Sequence, residues 1–156
     1  FLWLVDRIVI TVALAGFFIR MGNLFNSEII GKTANVPWAF KFVRAQVSDP
    51  LTPRHPTQIY EALAYLAIFG VLYYIYKKQG PKVKRGFLLG LFLALVFGVR
   101  FIIEFFKENQ VAFESGMILN MGQILSIPAV IIGMFLVFWA KTPQEITPQQ
   151  RAIHKK

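Results

Sequence analysis

Four stretches, Phe1 to Ile19, Ile59 to Tyr76, Phe87 to Phe106 and Met117 to Ala140, are almost uninterruptedly apolar. Each is close to the roughly 20 helical residues that cross about 30 Å of hydrocarbon. Their apolar residues fall on every side of a helix and leave no wet face to turn toward solvent. The expected fold is therefore all-α: a polytopic membrane protein with four transmembrane helices and one long outward-facing loop. Composition agrees, since 56% of the residues are hydrophobic against about 45–50% in soluble domains. The expected division is a transmembrane domain over 1–140 and a basic tail over 141–156.

The chain begins at Phe1, already inside an apolar run that lacks the marks of a signal peptide, so we expect upstream sequence to precede it. With no cysteine, the sequence has no disulfide, thiolate metal site or cysteine nucleophile of its own. Histidine occurs only at His55 and His154, too sparsely for a histidine metal cluster. We expect no metal and no cofactor. The net charge of +9 is concentrated at helix ends. Lys77, Lys78, Lys82, Lys84 and Arg85 share one short connection with no acid, and the tail adds Lys141, Arg151, Lys155 and Lys156 against Glu145. The connection near 107–116 sets Lys107 against Glu108 and Glu114. The positive-inside rule then makes loop 77–86 and the tail cytoplasmic, with 107–116 and 20–58 outside. Basic clusters at helix ends suit anionic membrane lipids rather than nucleic acid.

The segment 20–58 is the one long connection, and it contains Pro37, Pro50, Pro53 and Pro56. Its aromatic and basic run, Pro37 to Arg44, predicts an interfacial strand or short helix at headgroup level. Gly80-Pro81 marks a turn in the cytoplasmic loop.

Polar residues gather into four clusters. The first, Arg20 to Glu28, holds Arg20, Asn23, Asn26 and Glu28 around Gly22, a residue that permits a turn or close approach. Arginine's planar fork suits a phosphate, although Arg20 snorkelling and an asparagine cap would explain the same residues. The second is Arg54-His55-Pro56-Thr57-Gln58-Ile59-Tyr60-Glu61. Pro56 suits a helix start, Thr57 a cap, and Glu61 the positive end of the helix dipole. That leaves Arg54, His55, Gln58 and Tyr60 without a structural account, and histidine is the usual side chain for moving a proton near neutral pH. In the third cluster Arg100 and Glu104 lie four residues apart on one helix face, with the cation first, the weaker order for a helix pair. Partners on other helices or on a ligand are therefore expected. In the fourth, Asn120, Gln123 and Ser126 fit capping and helix–helix hydrogen bonding as well as chemistry.

All four clusters fall at outward helix ends, where independent snorkelling would populate both ends. Their convergence predicts one polar pocket, and three arginines in it point to an anionic, phosphate-bearing ligand such as a phospholipid headgroup.

These residues, in this order, resemble the prolipoprotein diacylglyceryl transferase family of bacterial inner membranes. The resemblance rests on Asp6-Arg7, on Arg-x-Gly-Asn-x-x-Asn-x-Glu from Arg20 to Glu28 closing with Gly31, and on Arg-His-Pro-Thr-Gln-x-Tyr-Glu from Arg54 to Glu61. Arg-Phe-x-x-Glu-Phe-Phe from Arg100 to Phe106 and Gly122-Gln123-x-x-Ser126 complete it. Where relatives often carry arginine after Phe106, this chain has Lys107, which keeps the charge but loses the fork. The resemblance implies transfer of the diacylglyceryl group of phosphatidylglycerol to the lipobox cysteine in the signal peptide of a prolipoprotein, releasing glycerol phosphate. It implies a multi-pass protein of the bacterial inner membrane whose active site faces the periplasm, with 1–140 as a catalytic domain lacking its N-terminal part. By resemblance, Arg20 and Arg100 hold the phosphate, Asn23 and Glu28 order the headgroup with Asn26, Arg54, Gln58, Tyr60 and Glu61, and Glu104 orients an arginine or the substrate. His55 is a candidate base, or an aid to one. The competing readings are a non-catalytic phospholipid-binding subunit and a transporter; a transporter would want polar groups at helix midpoints, where blocks 59–76, 87–106 and 117–140 hold almost none.

Overall fold

The computed structural model describes residues 1–107 and 119–140. Four helices make up its frame: α1 (Leu2–Asn26), α2 (Thr57–Gln79), α3 (Phe87–Ile103) and α4 (Met121–Trp139). Each, the third counted through Phe106, is long and apolar enough to cross a membrane, which makes this a multi-pass membrane protein. The basic tail expected over 141–156, and Glu108 and Glu114 of the expected outer loop, lie outside the described residues.

The helices pair as α1 with α2 and α3 with α4. Lipid is as apolar as a leucine side chain, so close helix contact depends on packing and small residues. Between α3 and α4 those residues are Gly90 and Gly133: a Cβ on either would stand 2.7 Å from the other's carbonyl oxygen. The buried core joins the other three helices through Val9, Ile10 and Ala13 of α1, Ile68 and Leu72 of α2 and Leu88 of α3. Large apolar side chains such as Phe18, Ile131 and Phe138 stay exposed, as lipid contact allows. Pro128 lies inside α4, where it removes one backbone donor from the helix ladder.

At one pole Asp6 fixes the start of α3 from across the bundle. Its buried carboxylate accepts from the Gly86 amide at 2.7 Å and the Leu89 amide at 2.9 Å, two donors that a helix start leaves unsatisfied. Beside it the Arg7 guanidinium stacks 3.7 Å from the centre of the Trp3 ring. The chain leaves α2 through a 3-10 turn, Gly80–Lys82, at the expected Gly80-Pro81.

Two expectations are corrected. First, α1 does not end at Ile19 but continues to Asn26, so Gly22 is an ordinary helical residue rather than a turn. No proline or polar run interrupts that stretch, and one glycine costs a helix only about 1 kcal/mol. Second, residues 37–44 form neither strand nor helix; Phe40 makes an isolated bridge to Arg54. The partner segment is broken by Pro53 and Pro56 around Arg54, which leaves it too few consecutive donors for a ladder. Farther along that loop, the Asp49 carboxylate accepts hydrogen bonds from the Thr52 hydroxyl and the Leu51 amide, which hold its carboxyl below the usual range.

Candidate active site

The polar clusters meet at the pole opposite Asp6, formed by the C-terminal ends of α1 and α3 and the N-terminal ends of α2 and α4. Glu61, one turn into α2, is the centre. It is fully buried, and a buried carboxylate is stable as an anion only beside a cation. Two are present: Arg20 Nε stands 3.0 Å from Oε2, and Lys107 Nζ donates to Oε1 at 2.9 Å. Glu61 therefore does not serve the helix dipole, as its position suggested; it binds α1 and the end of α3 to α2.

Lys107 also stands 3.2 Å from Glu104 Oε2 and is itself 2% exposed. The Arg20–Glu61 and Lys107–Glu104 contacts are ion pairs without hydrogen-bond alignment. Glu104 was expected to find its partner on another helix or a ligand, whereas it pairs with Lys107 in the next turn. The 3-10 turn Glu104–Phe106 makes that reach short. On its other side the Glu104 carboxylate lies against Gly122 of α4: a Cβ there would stand 2.6 Å from the carboxyl carbon.

The Arg100 side chain, half-buried in the last turn of α3, makes no ion pair or hydrogen bond among the described residues. It lies within electrostatic reach of the buried Tyr65 hydroxyl, which also senses Arg20 and Glu61. Asn23, with its amide turned to satisfy both neighbours, accepts from Arg20 Nη1 at 3.0 Å and donates to Glu28 Oε2 at 3.3 Å. Asn23 and Glu28 thus adjoin Arg20 as expected. Asn26 is exposed and makes no side-chain hydrogen bond among the described residues.

The segment after α1 is held by its backbone. Ser27 and Ile29 both have positive φ, 58° and 54°, and a β-branched residue is strained there. The start of α2 supports them: Gln58 Nε2 donates to the Glu28 carbonyl at 2.6 Å, and Thr57 Oγ1 to the Ile29 carbonyl at 3.2 Å. Arg54 Nη1 stands 3.4 Å from the Gly31 carbonyl. Thr57 consequently does not cap its helix; Pro56 holds that position without a side-chain bond. Gln58 and Arg54, expected at a ligand, contribute these hydrogen bonds to the 28–31 backbone. Gly31 bridges to Lys107, and the neighbouring Lys32 amide donates to the Phe106 carbonyl at 2.8 Å. This fixes the end of the α3 segment that carries Lys107.

His55 sits at the rim. Its Nδ1 is 3.1 Å from the Tyr60 hydroxyl, which accepts from Trp38 Nε1 at 2.8 Å, and its ring meets the edge of Phe106. Asn120 and Gln123 form a reciprocal capping box at the start of α4, the structural alternative anticipated for them. Sequence reasoning missed Lys107, read as a loop cation, and Trp38, read as an interfacial aromatic. The signal for Lys107 was its place directly after Phe106 in the third motif. Chemically, the site sets Arg20 and Lys107 against Glu61 and Glu104, with Arg100 and Arg54 as further guanidiniums and Glu28 as a further carboxylate, an arrangement suited to a monoanion such as a phosphodiester.

A family model described as prolipoprotein diacylglyceryl transferase matches residues 1–139. Among curated relatives, a phosphatidylglycerol–prolipoprotein diacylglyceryl transferase of Bacteroides fragilis is 51% identical over 135 residues, which cover 86% of this chain and 47% of the relative. Proteins with the same description from Tolumonas auensis and Chloroherpeton thalassium are 50% and 49% identical, over 88% and 87% of this chain and 51% and 49% of their own lengths. The chain spans about half the length of these curated relatives. No solved structure matches.

Proposed function

Because the chain belongs to the prolipoprotein diacylglyceryl transferase family, we propose that it carries the anion-binding part of an enzyme that moves a diacylglyceryl group from phosphatidylglycerol to a prolipoprotein. The accepting atom is the sulfur of the lipobox cysteine in the signal peptide. The observation that carries this reading is Arg100, held beside a balanced ion network with no carboxylate of its own among the described residues.

In this reaction the thiolate sulfur attacks a glycerol carbon of the lipid. A C–S bond forms, the C–O bond to phosphate breaks, and glycerol phosphate leaves with the bonding electrons. The thiol proton must be removed and the charge on the leaving phosphate stabilised. Arg100 and the outer edge of Arg20 supply that stabilisation, while Asn23 and Glu28 order the headgroup. Glu61, Glu104, Gln58 and Arg54 keep the cations and the 28–31 backbone in place. His55, with Tyr60 behind it, receives or relays a proton at the rim. The protein sits in the bacterial inner membrane with this pole toward the periplasm, so that the lysine-rich connection 77–85 faces the cytoplasm.

The test uses the intact membrane protein in detergent with phosphatidylglycerol and a lipobox peptide, following peptide mass. A diacylglyceryl increment that disappears with a Cys→Ser peptide and with Arg100→Ala is expected. A folded protein that retains the lipid yet gives no increment overturns the transferase and leaves a binding subunit.

A further inference from the structure

Two cations compete for one carboxylate in this site. Glu104 is four residues after Arg100, on the same helix face, where a carboxylate and a guanidinium can meet. It is also three residues before Lys107, and the structure gives it to Lys107 at 3.2 Å. Lys107 Nζ is held in turn by Glu61 at 2.9 Å and is nearly sealed from water. The backbone bridge from Gly31 fixes the residue that carries it, and Gly122 leaves room for the Glu104 carboxylate on the α4 side.

We propose that Lys107 is a positioning residue that occupies Glu104 and so keeps Arg100 available for the phosphodiester of an anionic lipid. Arg20, Lys107, Glu61 and Glu104 neutralise one another, and Arg100 stands beside them with no carboxylate of its own among the described residues. Without Lys107 the buried Glu104 carboxylate needs another counterion, and Arg100 is within one helical turn. An Arg100–Glu104 pair would present the lipid phosphate with a neutralised site. Lys107 touches no substrate in this scheme; it acts through Glu104. The inference rests on the proposed function for its ligand, but lipid retention can be read without any transfer reaction.

The experiment measures retention of phosphatidylglycerol by the intact purified protein, with thermal melting as a check on folding and no peptide present. Lys107→Met is expected to weaken retention about tenfold or more, the scale of a charge-assisted contact. Lys107→Arg preserves it. The deciding variant is Lys107→Met combined with Glu104→Gln: with the competing charge removed, retention returns to near the wild-type level, although the ion network is no more intact than in the single variant. In the transfer assay the single variant raises KM for the lipid more than it lowers kcat. Retention unaffected by Lys107→Met overturns the proposal. So does a folded double variant no better than the single one, because Lys107 would then be structural only. A wild-type protein that retains no anionic lipid overturns both this proposal and the functional reading. The predicted variant pattern without transfer activity supports Lys107's role and removes the transferase.

Discussion

Gly31 and His55 meet through backbone alone: the Gly31 amide donates to the His55 carbonyl at 3.2 Å, and a Cβ on Gly31 would stand 2.4 Å from that same oxygen. A carbonyl in a hydrogen-bonded bridge cannot retreat as a flexible side chain can. Gly31→Ala is therefore expected to force the 28–33 segment away from the start of α2, at about 1–3 kcal/mol of strain. Since Gly31 also bridges to Lys107, lipid retention should fall more than the melting temperature alone would suggest. Wild-type retention in the alanine variant would show that this contact does not hold the site.

Gly122 offers a sharper comparison. Its missing Cβ leaves the space into which the Glu104 carboxylate packs, with the carboxyl carbon 2.6 Å from where that Cβ would lie, whereas Gly98 in α3 has open space around it. Gly122→Ala should displace Glu104 and lower transfer activity by an order of magnitude or so, as misplaced site groups do. Gly98→Ala should leave activity unchanged and, as a helix-interior substitution, stabilise slightly. Equal behaviour of the two variants would refute the packing account.

The four spans were legible because lipid demands a composition no other environment does, and Phe87 to Phe106 could scarcely be read otherwise. The convergence of Arg20, Glu61 and Glu104 was legible as well, since four clusters of mixed charges and carboxamides at the outward helix ends need a common reason. The pairing was not. Whether Glu104 turns to Arg100 or to Lys107 depends on a 3-10 turn after Ile103, and helical spacing alone does not reveal where a helix tightens. Thr57 misled for a related reason: a side chain suited to a cap instead supports the strained backbone at Ile29, and only the folded chain places that carbonyl near it.

At the opposite pole, Asp6 should contribute to stability without contributing to chemistry. Its carboxylate caps α3 from α1 through two backbone amides and is 3% exposed. Asp6→Ala leaves both donors unsatisfied and should cost about 1–3 kcal/mol, while Asp6→Asn keeps one acceptor and should cost less. Melting in detergent should rank wild type above Asn above Ala, and KM for the lipid in the folded fraction should stay at the wild-type value. A changed KM with unchanged melting would mean that Asp6 acts on the site rather than on the bundle.

Under the proposed function, the chain from Trp38 through Tyr60 to His55 should separate binding from chemistry. Indole N–H only donates, so Trp38 Nε1 at 2.8 Å must use a lone pair of the Tyr60 oxygen, leaving the hydroxyl hydrogen available for His55 Nδ1 at 3.1 Å. This pair of contacts orients the imidazole. None of the three makes a hydrogen bond or ion pair with Arg20, Arg100 or Lys107 among the described residues. Tyr60→Phe should consequently lower kcat about 3- to 10-fold, the worth of one orienting hydrogen bond, and leave KM for the lipid nearly constant. Trp38→Phe, one contact further from the ring, should cost less than Tyr60→Phe. His55→Ala should lower kcat most, because it removes the group the other two orient. If His55→Ala retains wild-type kcat, the proton must move through another group, and Trp38 and Tyr60 would be part of the rim's packing rather than of the reaction.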